Sequence, residues 1–183
     1  MGMIGHNNGP TMEPGATWRR HCWTTARQAL LPTLPVEVVR TRVRRANELG
    51  LDYRTYASVR AQTGHDVVAF LFSSNALRVR PLSPALPADR AARLNAIAGA
   101  TRIGLAVAPL AVSALATNPE LDASHPAPHV LAPFPEIAAR LRAALGPLPS
   151  DRVILIADAP LEADWCLAGR LAACLPAGRF FTA

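Results

Sequence analysis

The chain has 183 residues, half of them apolar, with 17 prolines and a formal net charge of +6, enough material for one core of ordinary size cut by turns into short elements. None of its 19 basic residues is a lysine, which excludes a phosphate-loop lysine, a Schiff base and a lysine general base. Cys22, Cys166 and Cys174 are too few and too widely spaced for a disulfide framework or a paired-cysteine metal site, so they read as small buried side chains in a reducing compartment.

Residues 1–16 contain four glycines, two prolines and two asparagines and read as a flexible tail with little to bury. They carry neither the cationic start nor the apolar run of a signal peptide. Within them, IGHNNGP at 4–10 resembles the IGHNN-Pro leader of uncharacterised bacterial and phage-associated proteins. That resemblance implies a link to mobile-element biology and no particular activity.

From Trp18 to Arg60 the sequence holds nine arginines against Glu37, Glu48 and Asp52, and the remainder is balanced. The whole net charge therefore belongs to the first third, as expected of a module that meets a polyanion. An arginine-only basic composition from a GC-rich genome would load solvated helix faces in the same way.

Thr17 is placed to cap a first helix in which Trp18, Cys22 and Ala26 recur at helical spacing, and LLPTLP ends it. A second helix begins near Pro35, with Val36, Val39, Val43 and Ala46 or Leu49 as its apolar stripe. Gly50 supplies a left-handed stop. A third helix follows, with Asp52 as its cap, Tyr56 and Val59 facing inward, and Gly64 closing it.

The segment RRANELGLDYRTYASVR, within residues 42–61, resembles the helix-turn-helix family. Ala46 matches the small residue where the two helices approach, and Gly50 matches the turn glycine four positions later. Leu49 and Leu51 stand as core anchors, with Tyr56 and Val59 on the buried side of the second helix. Arg45 departs from the family, which has an apolar residue there, and Tyr56 is bulkier than the common valine or isoleucine. The resemblance implies DNA binding: Tyr53, Arg54, Thr55, Ala57, Ser58 and Arg60 would face outward, with Arg54 and Ser58 best suited to base edges. Arg40, Arg42, Arg44 and Arg19 or Arg20 would hold phosphates. A single such module on duplex DNA implies a dimer, although no dimer seam is identifiable.

After Gly64 the pattern changes. DVVAFLF (66–72), RIGLAVA (102–108), RVILIAD (152–158) and GRFFTA (178–183) read as buried strands, with PHVLAPFP (128–135) as a fifth, edge strand or a loop. ADRAARLNAIAG (88–99), PEIAARLRAALG (135–146) and LEADWCLAGRLAA (161–173) have helical spacing. This alternation predicts an α/β fold, a small mostly parallel sheet covered by helices and preceded by the basic three-helix module. The expected organisation is a tail at 1–16, a basic module at 17–63 and an α/β domain at 64–183.

In parallel sheets ligands sit beyond the carboxyl ends of strands. Those ends offer Ser73, Ser74 and Asn75 after the first strand, Pro109 after the second and Asp158 after the third. The serine and asparagine turn suits an anion, and Asp158 suits a hydroxyl or a proton, so Asp158 and Ser73 are the catalytic candidates. Ser74 and Asn75 are equally good helix caps, and Asp158 is equally able to brace the following helix.

No glycine-rich phosphate fingerprint, GxSxG elbow or HExxH motif is present, so no cofactor is implied. His125 and His129 are four apart, but SHPAPH cannot be the helix that would place both on one metal, and no metal follows. The apolar stretch from Ile103 to Ala116 is interrupted by Pro109 and falls short of the about 20 residues that span a bilayer. The reading is therefore a cytoplasmic protein without a membrane partner. Its first functional expectation is nucleic-acid binding or regulation through the arginine-rich helices. The alternatives are a small enzyme or ligand-binding domain working at Ser73, Ser74, Asn75 and Asp158, or an interaction module that docks an acidic partner.

Overall fold

The computed structural model describes residues 34–129 and 131–182. The predicted tail and first helix lie outside the described residues, as does the IGHNN-Pro leader. Contacts divide the chain into two units at Val39 and Arg40. In the first unit the Pro35 carbonyl accepts from the N–H groups of Val38 and Val39, starting helix α1, Val36–Glu48.

The unit from Arg40 onward continues α1 and adds α2 (Tyr53–Thr63), β1 (Ala69–Ser73), α3 (Ala88–Asn95), β2 (Thr101–Ala106) and the short α4 (Val112–Leu115). These are followed by β3 (Ala123–Pro126), α5 (Phe134–Leu145), β4 (Val153–Ala157), α6 (Ala163–Gly169), β5 (Ala173–Pro176) and α7 (Ala177–Phe181). The five strands form one sheet in the order β3-β2-β1-β4-β5, and every pairing is parallel.

Alternation along the strands sends successive side chains to opposite faces. Phe70, Phe72, Ile154 and Ile156 face one layer, built from Ala46 of α1, Leu49 in the turn after it, Tyr56 and Val59 of α2, Leu94 of α3 and Phe180 of α7. Leu71, Ile103, Val153 and Leu155 face the other, where Ile137 and Leu141 of α5 and Trp165 of α6 cover them. Both faces are therefore buried, as an all-parallel sheet requires. The boundary expected at 63 to 64 falls between residues that share this core, since Tyr56 and Val59 pack in the same cluster as Phe70 and Phe72.

The turn between α1 and α2 is built as the sequence predicts. Gly50 sits at φ 66°, a conformation that costs a side-chain-bearing residue about 1 kcal/mol or more. Asp52 accepts from the Thr55 N–H at 2.9 Å, and Gly64 closes α2 at φ 74°. The apolar stripe of α1 is shorter than predicted, because Val43 is exposed while Ala46 and Leu49 are fully buried.

Three expectations are corrected. GRFFTA is not a strand: Pro176, which has no N–H to continue a ladder, ends β5, and the chain turns into α7. That helix brings Phe180 within 5.5 Å of Phe70 and 5.7 Å of Phe72 between ring centroids. The strand alternative for PHVLAPFP gives way to the loop one, since its described residues form no strand and Phe134 begins α5, while one edge strand forms earlier, at Ala123–Pro126, and carries His125. The helix predicted over 161–173 is shorter, ending at Gly169 with Arg170 left-handed at φ 51°, and its last predicted residue, Ala173, instead begins β5.

Candidate functional site

β1 lies between β2 and β4, so the chain leaves β1 on one side of the sheet and returns on the other. In open parallel sheets this reversal opens a crevice beyond the carboxyl ends of the two central strands. Here the crevice lies between the turn after β1 and the turn after β4.

The turn after β1 is tight. Leu77 donates its backbone N–H to the Ser73 carbonyl, Arg78 to Asn75 and Val79 to Ser74, each at 3.0 Å. Arg78 adopts φ 57°, which is rare for a residue with a side chain. The Ser74 hydroxyl accepts from the Val107 N–H at 3.1 Å, tying this turn to the end of β2. Farther along, the buried Asn118 side chain accepts from the Leu86 N–H and donates to the Pro84 carbonyl, holding the proline-rich segment that follows.

The turn after β4 is held by Glu162, which is fully buried. One of its oxygens accepts from the Ser73 hydroxyl at 2.8 Å and from the backbone N–H groups of Asp158 and Ala159 at 2.9 and 3.2 Å. The other accepts from the Asn75 amide at 2.7 Å. One carboxylate therefore fixes both lips of the crevice with four hydrogen bonds, three on one oxygen and one on the other.

The sequence placed Ser73, Ser74, Asn75 and Asp158 at strand ends, and the structure brings them together. Ser74, Asn75 and Asp158 line one cleft with Arg78, Val79, Arg80 and Ala159, enclosing about 250 Å³. Ser73 lies beneath it, fully buried, donating to Glu162 and accepting from the Ala76 N–H at 3.1 Å. Its hydroxyl is thus engaged in both directions and positions the turn. Asn75 and Asp158 are exposed.

Arg78 and Arg80 are the arginines that line the cleft, and a third, Arg90, is not among its lining residues. Arg90, on α3, is only 4% exposed, and its guanidinium carbon stands 3.8 Å over the Phe181 ring. Its Nε and Nη1 have no hydrogen-bond acceptor. The Asp89 carboxylate approaches Nε no closer than 3.6 Å. Burial pushes the Arg90 guanidinium below the usual arginine value and Arg78 adds to the push, while Asp89 and Asp158 draw it back.

Glu162, Arg78 and Arg90 were not singled out in the sequence. Glu162 leaves one signal, an acid two residues after Pro160, where a carboxylate can turn back on the N–H groups of its own turn. Arg78 and Arg90 leave none, since an arginine in a loop and another in a helix carry no mark of being drawn together.

The helix-turn-helix candidates are divided among different surroundings. Arg44 is exposed, with the Glu48 carboxylate 4.0 Å away. Arg40 is exposed and Arg42 and Tyr53 half-buried. Arg60 is also half-buried, 3.5 Å from the Tyr56 hydroxyl and 4.0 Å from Asp66. Arg54 and Ser58 are exposed, but they line a groove of about 450 Å³ with Gln62, Leu175 and Arg179. Thr55, expected to face outward, is 6% exposed, since its hydroxyl donates to Asp52 and accepts from Arg179.

Arg45, the departure from the helix-turn-helix pattern, is a structural tie. It donates to Asp66 at 2.9 Å and Glu48 at 3.1 Å, and to the carbonyls of Val67, Ala98 and Gly99. Burial alone would lower its pKa, and its bonds to Glu48 and Asp66 outweigh that and raise it.

Between α5 and α6 a larger groove of about 740 Å³ is lined by Phe134, Leu145, Leu148 and Leu167 with Arg142 and Arg170. It contains no acid, histidine or cysteine. The His129 Nδ1 accepts from the Leu131 N–H, and among the described residues no group of three or more acids, histidines or cysteines could hold a metal ion. None of the described helices is long and apolar enough to cross a membrane. No family model matches the chain, and no curated protein or solved structure matches it significantly.

Proposed function

We propose that this chain is a small-molecule-binding α/β protein whose ligand occupies the crevice beyond the carboxyl ends of β1 and β4. The observation that carries the reading is the Glu162 clamp. A buried carboxylate is costly unless it is hydrogen-bonded, and here its four partners are the two lips of the one crevice that the strand order opens. Asn75 and Asp158 supply the polar groups, one an amide and one a carboxylate, that orient a ligand in a mostly preformed site. The test is amide chemical-shift mapping on the full chain with ribose, glycine and adenosine as separate probes. Shifts concentrated at Asn75, Arg78, Asp158 and Ala159 support the reading. Shifts that leave these four unmoved for all three probes, while another surface responds, sink it.

The second reading, a nucleic-acid-binding or regulatory protein, is favoured by the left-handed turn at Gly50, the Asp52 cap and the exposure of Arg44, Arg54 and Ser58. It ranks below the first on two grounds. Arg45 and Arg60 are drawn to Asp66, and Arg54 and Ser58 line a concave groove, whereas a recognition helix must protrude into a major groove. Retention on a generic DNA duplex at rising salt decides it. Several phosphate contacts give a steep loss of affinity between low and moderate salt, and a flat response, or one unchanged in R54A, removes the reading.

A further inference from the structure

We propose that the free edge of β5 and the basic groove between β5 and α2 together dock an extended acidic segment of a partner protein. The segment adds to the sheet as a further strand and sets its carboxylates against Arg54 and Arg179.

The edge supplies the backbone half of the site. β5 pairs with β4 alone, and among the described residues no strand pairs with its other side. Alternate residues of such a strand turn their N–H and C=O groups outward, a template that another extended chain completes. Charged side chains and proline are the usual protection of an edge. β5, with the sequence ACLP, has no charge, and its proline comes last. Ala173 and Cys174 are only half-buried.

The groove supplies the choice of side chain. It encloses about 450 Å³, with the buried Val59 and Leu175 at its floor and Arg54, Ser58, Gln62 and Arg179 around them, and no acid lines it. The Arg54 guanidinium has no hydrogen-bond or carboxylate partner among the described residues. Arg179 donates to the Thr55 hydroxyl at 2.6 Å and stands 3.6 Å from Asp52, yet its side chain is 57% exposed. Leu175 shares its core cluster with Tyr56 and Val59 of α2, so α2 lies over one face of the sheet at this edge. Every second residue of an added strand, at a spacing of about 7 Å, projects toward that face, where a carboxylate meets a guanidinium. A nucleic acid would find the charge but could not complete the ladder. A second copy of this chain paired at the same edge would bring like charges together in the seam. An acidic peptide from another protein satisfies both halves.

The experiment is fluorescence-anisotropy titration of the full chain with a labelled short peptide of alternating glutamate and threonine. The comparison probes are its arginine-for-glutamate counterpart, two versions N-methylated at every glutamate or at every threonine, and oligothymidylate. The glutamate peptide is expected to bind at least about tenfold more tightly than the arginine peptide and to weaken as salt rises. R54A weakens it about fivefold or more and R44A leaves it unchanged. One N-methylated version loses about tenfold or more and the other binds like the parent, because only one set of N–H groups faces the edge. Equal binding of the glutamate and arginine peptides, equal effects of the two methylation patterns, or an R54A unchanged in affinity overturns the proposal. Oligothymidylate binding more tightly than the glutamate peptide, or no binding of the glutamate peptide at all, also overturns it. Each of these failures leaves the ligand-binding reading of the crevice standing, since no residue of that crevice is altered.

Discussion

The Ser73 hydroxyl donates to Glu162 at 2.8 Å across 89 positions of sequence, joining the last residue of β1 to the turn after β4. The two strands are neighbours in the sheet, with Phe72 opposite Ile156, so the bond closes the carboxyl end of the central pair as the ladder closes its middle. Replacing Glu162 with alanine strands the Ser73 hydroxyl, the Asn75 amide and two backbone N–H groups at once. Each buried group left without a partner costs about 1–3 kcal/mol, reduced where water can enter, and the expected loss is about 3 kcal/mol. E162Q keeps an oxygen acceptor but presents a donor to groups that are themselves donors, so it falls between wild type and E162A. Denaturant midpoints for the three proteins check the order, and an E162A midpoint equal to wild type refutes the clamp.

Arg45 and Arg44 are adjacent, yet their substitutions are expected to differ several-fold. The Arg45 side chain is 20% exposed and reaches two carboxylates and three carbonyls. R45M leaves Asp66 and Glu48 without this partner, and the expected loss is about 2–4 kcal/mol. The Arg44 side chain is 76% exposed and 4.0 Å from Glu48, so R44A changes stability by no more than about 0.5 kcal/mol. Urea denaturation of both variants tests the division of the arginine-rich segment into structural and solvated members.

The three strands that run deepest in the sheet were legible in the sequence because a strand buried on both faces has no polar alternation and reads as a continuous apolar run. The edge strands were not. Ala123–Pro126 and Ala173–Pro176 are four residues each, half-exposed and proline-terminated, and such segments have the composition of loops. The switch point was half legible: Ser73, Ser74, Asn75 and Asp158 follow strand ends, and the parallel-sheet rule makes strand ends candidates. Arg90 was illegible and Glu162 showed only its local turn-capping signal, because the meaning of both is tertiary. A carboxylate that accepts four hydrogen bonds and an arginine without an acceptor look, in sequence, like any charged residue on a helical segment.

Asp122 links the start of β2 to the segment entering β3, accepting from the Arg102 backbone N–H and Nη2 at 2.7 Å each and from Nε at 3.1 Å. The Arg102 hydrogen bonds hold its carboxyl below the usual carboxylate range, against the opposing pull of burial. The folded state therefore binds a proton less readily than the unfolded state. The resulting stability is fully present above the unfolded carboxylate value of about 3.9 and is lost as pH falls through the lower folded value. The side chain is 40% exposed, so the contribution is discounted for solvent screening to about 0.5–1 kcal/mol. D122N should show that deficit at neutral pH and converge on wild type in strong acid. A deficit that is the same at both extremes contradicts the assignment.

Gly169 is the last residue of α6, where an alanine would ordinarily favour the helix by about 1 kcal/mol. Here a Cβ would stand 2.7 Å from Leu141 Cδ1 on α5 and 3.3 Å from Leu171 Cγ. The two sides are unequal in their freedom: Leu141 is 1% exposed and belongs to the core cluster of Ile137, Leu155 and Trp165, so turning it away from a new methyl group disturbs that packing. Overpacking of a filled core costs about 1–3 kcal/mol and outweighs the helix preference. G169A is therefore expected to be destabilised by about 1 kcal/mol, and G169A with L141A to be less destabilised than the sum of the two single variants, since the truncated leucine makes room for the new methyl group. A denaturation cycle over the four proteins measures that coupling. Strict additivity, or a G169A more stable than wild type, shows that α5 and α6 yield at this contact and that the glycine is there for another reason.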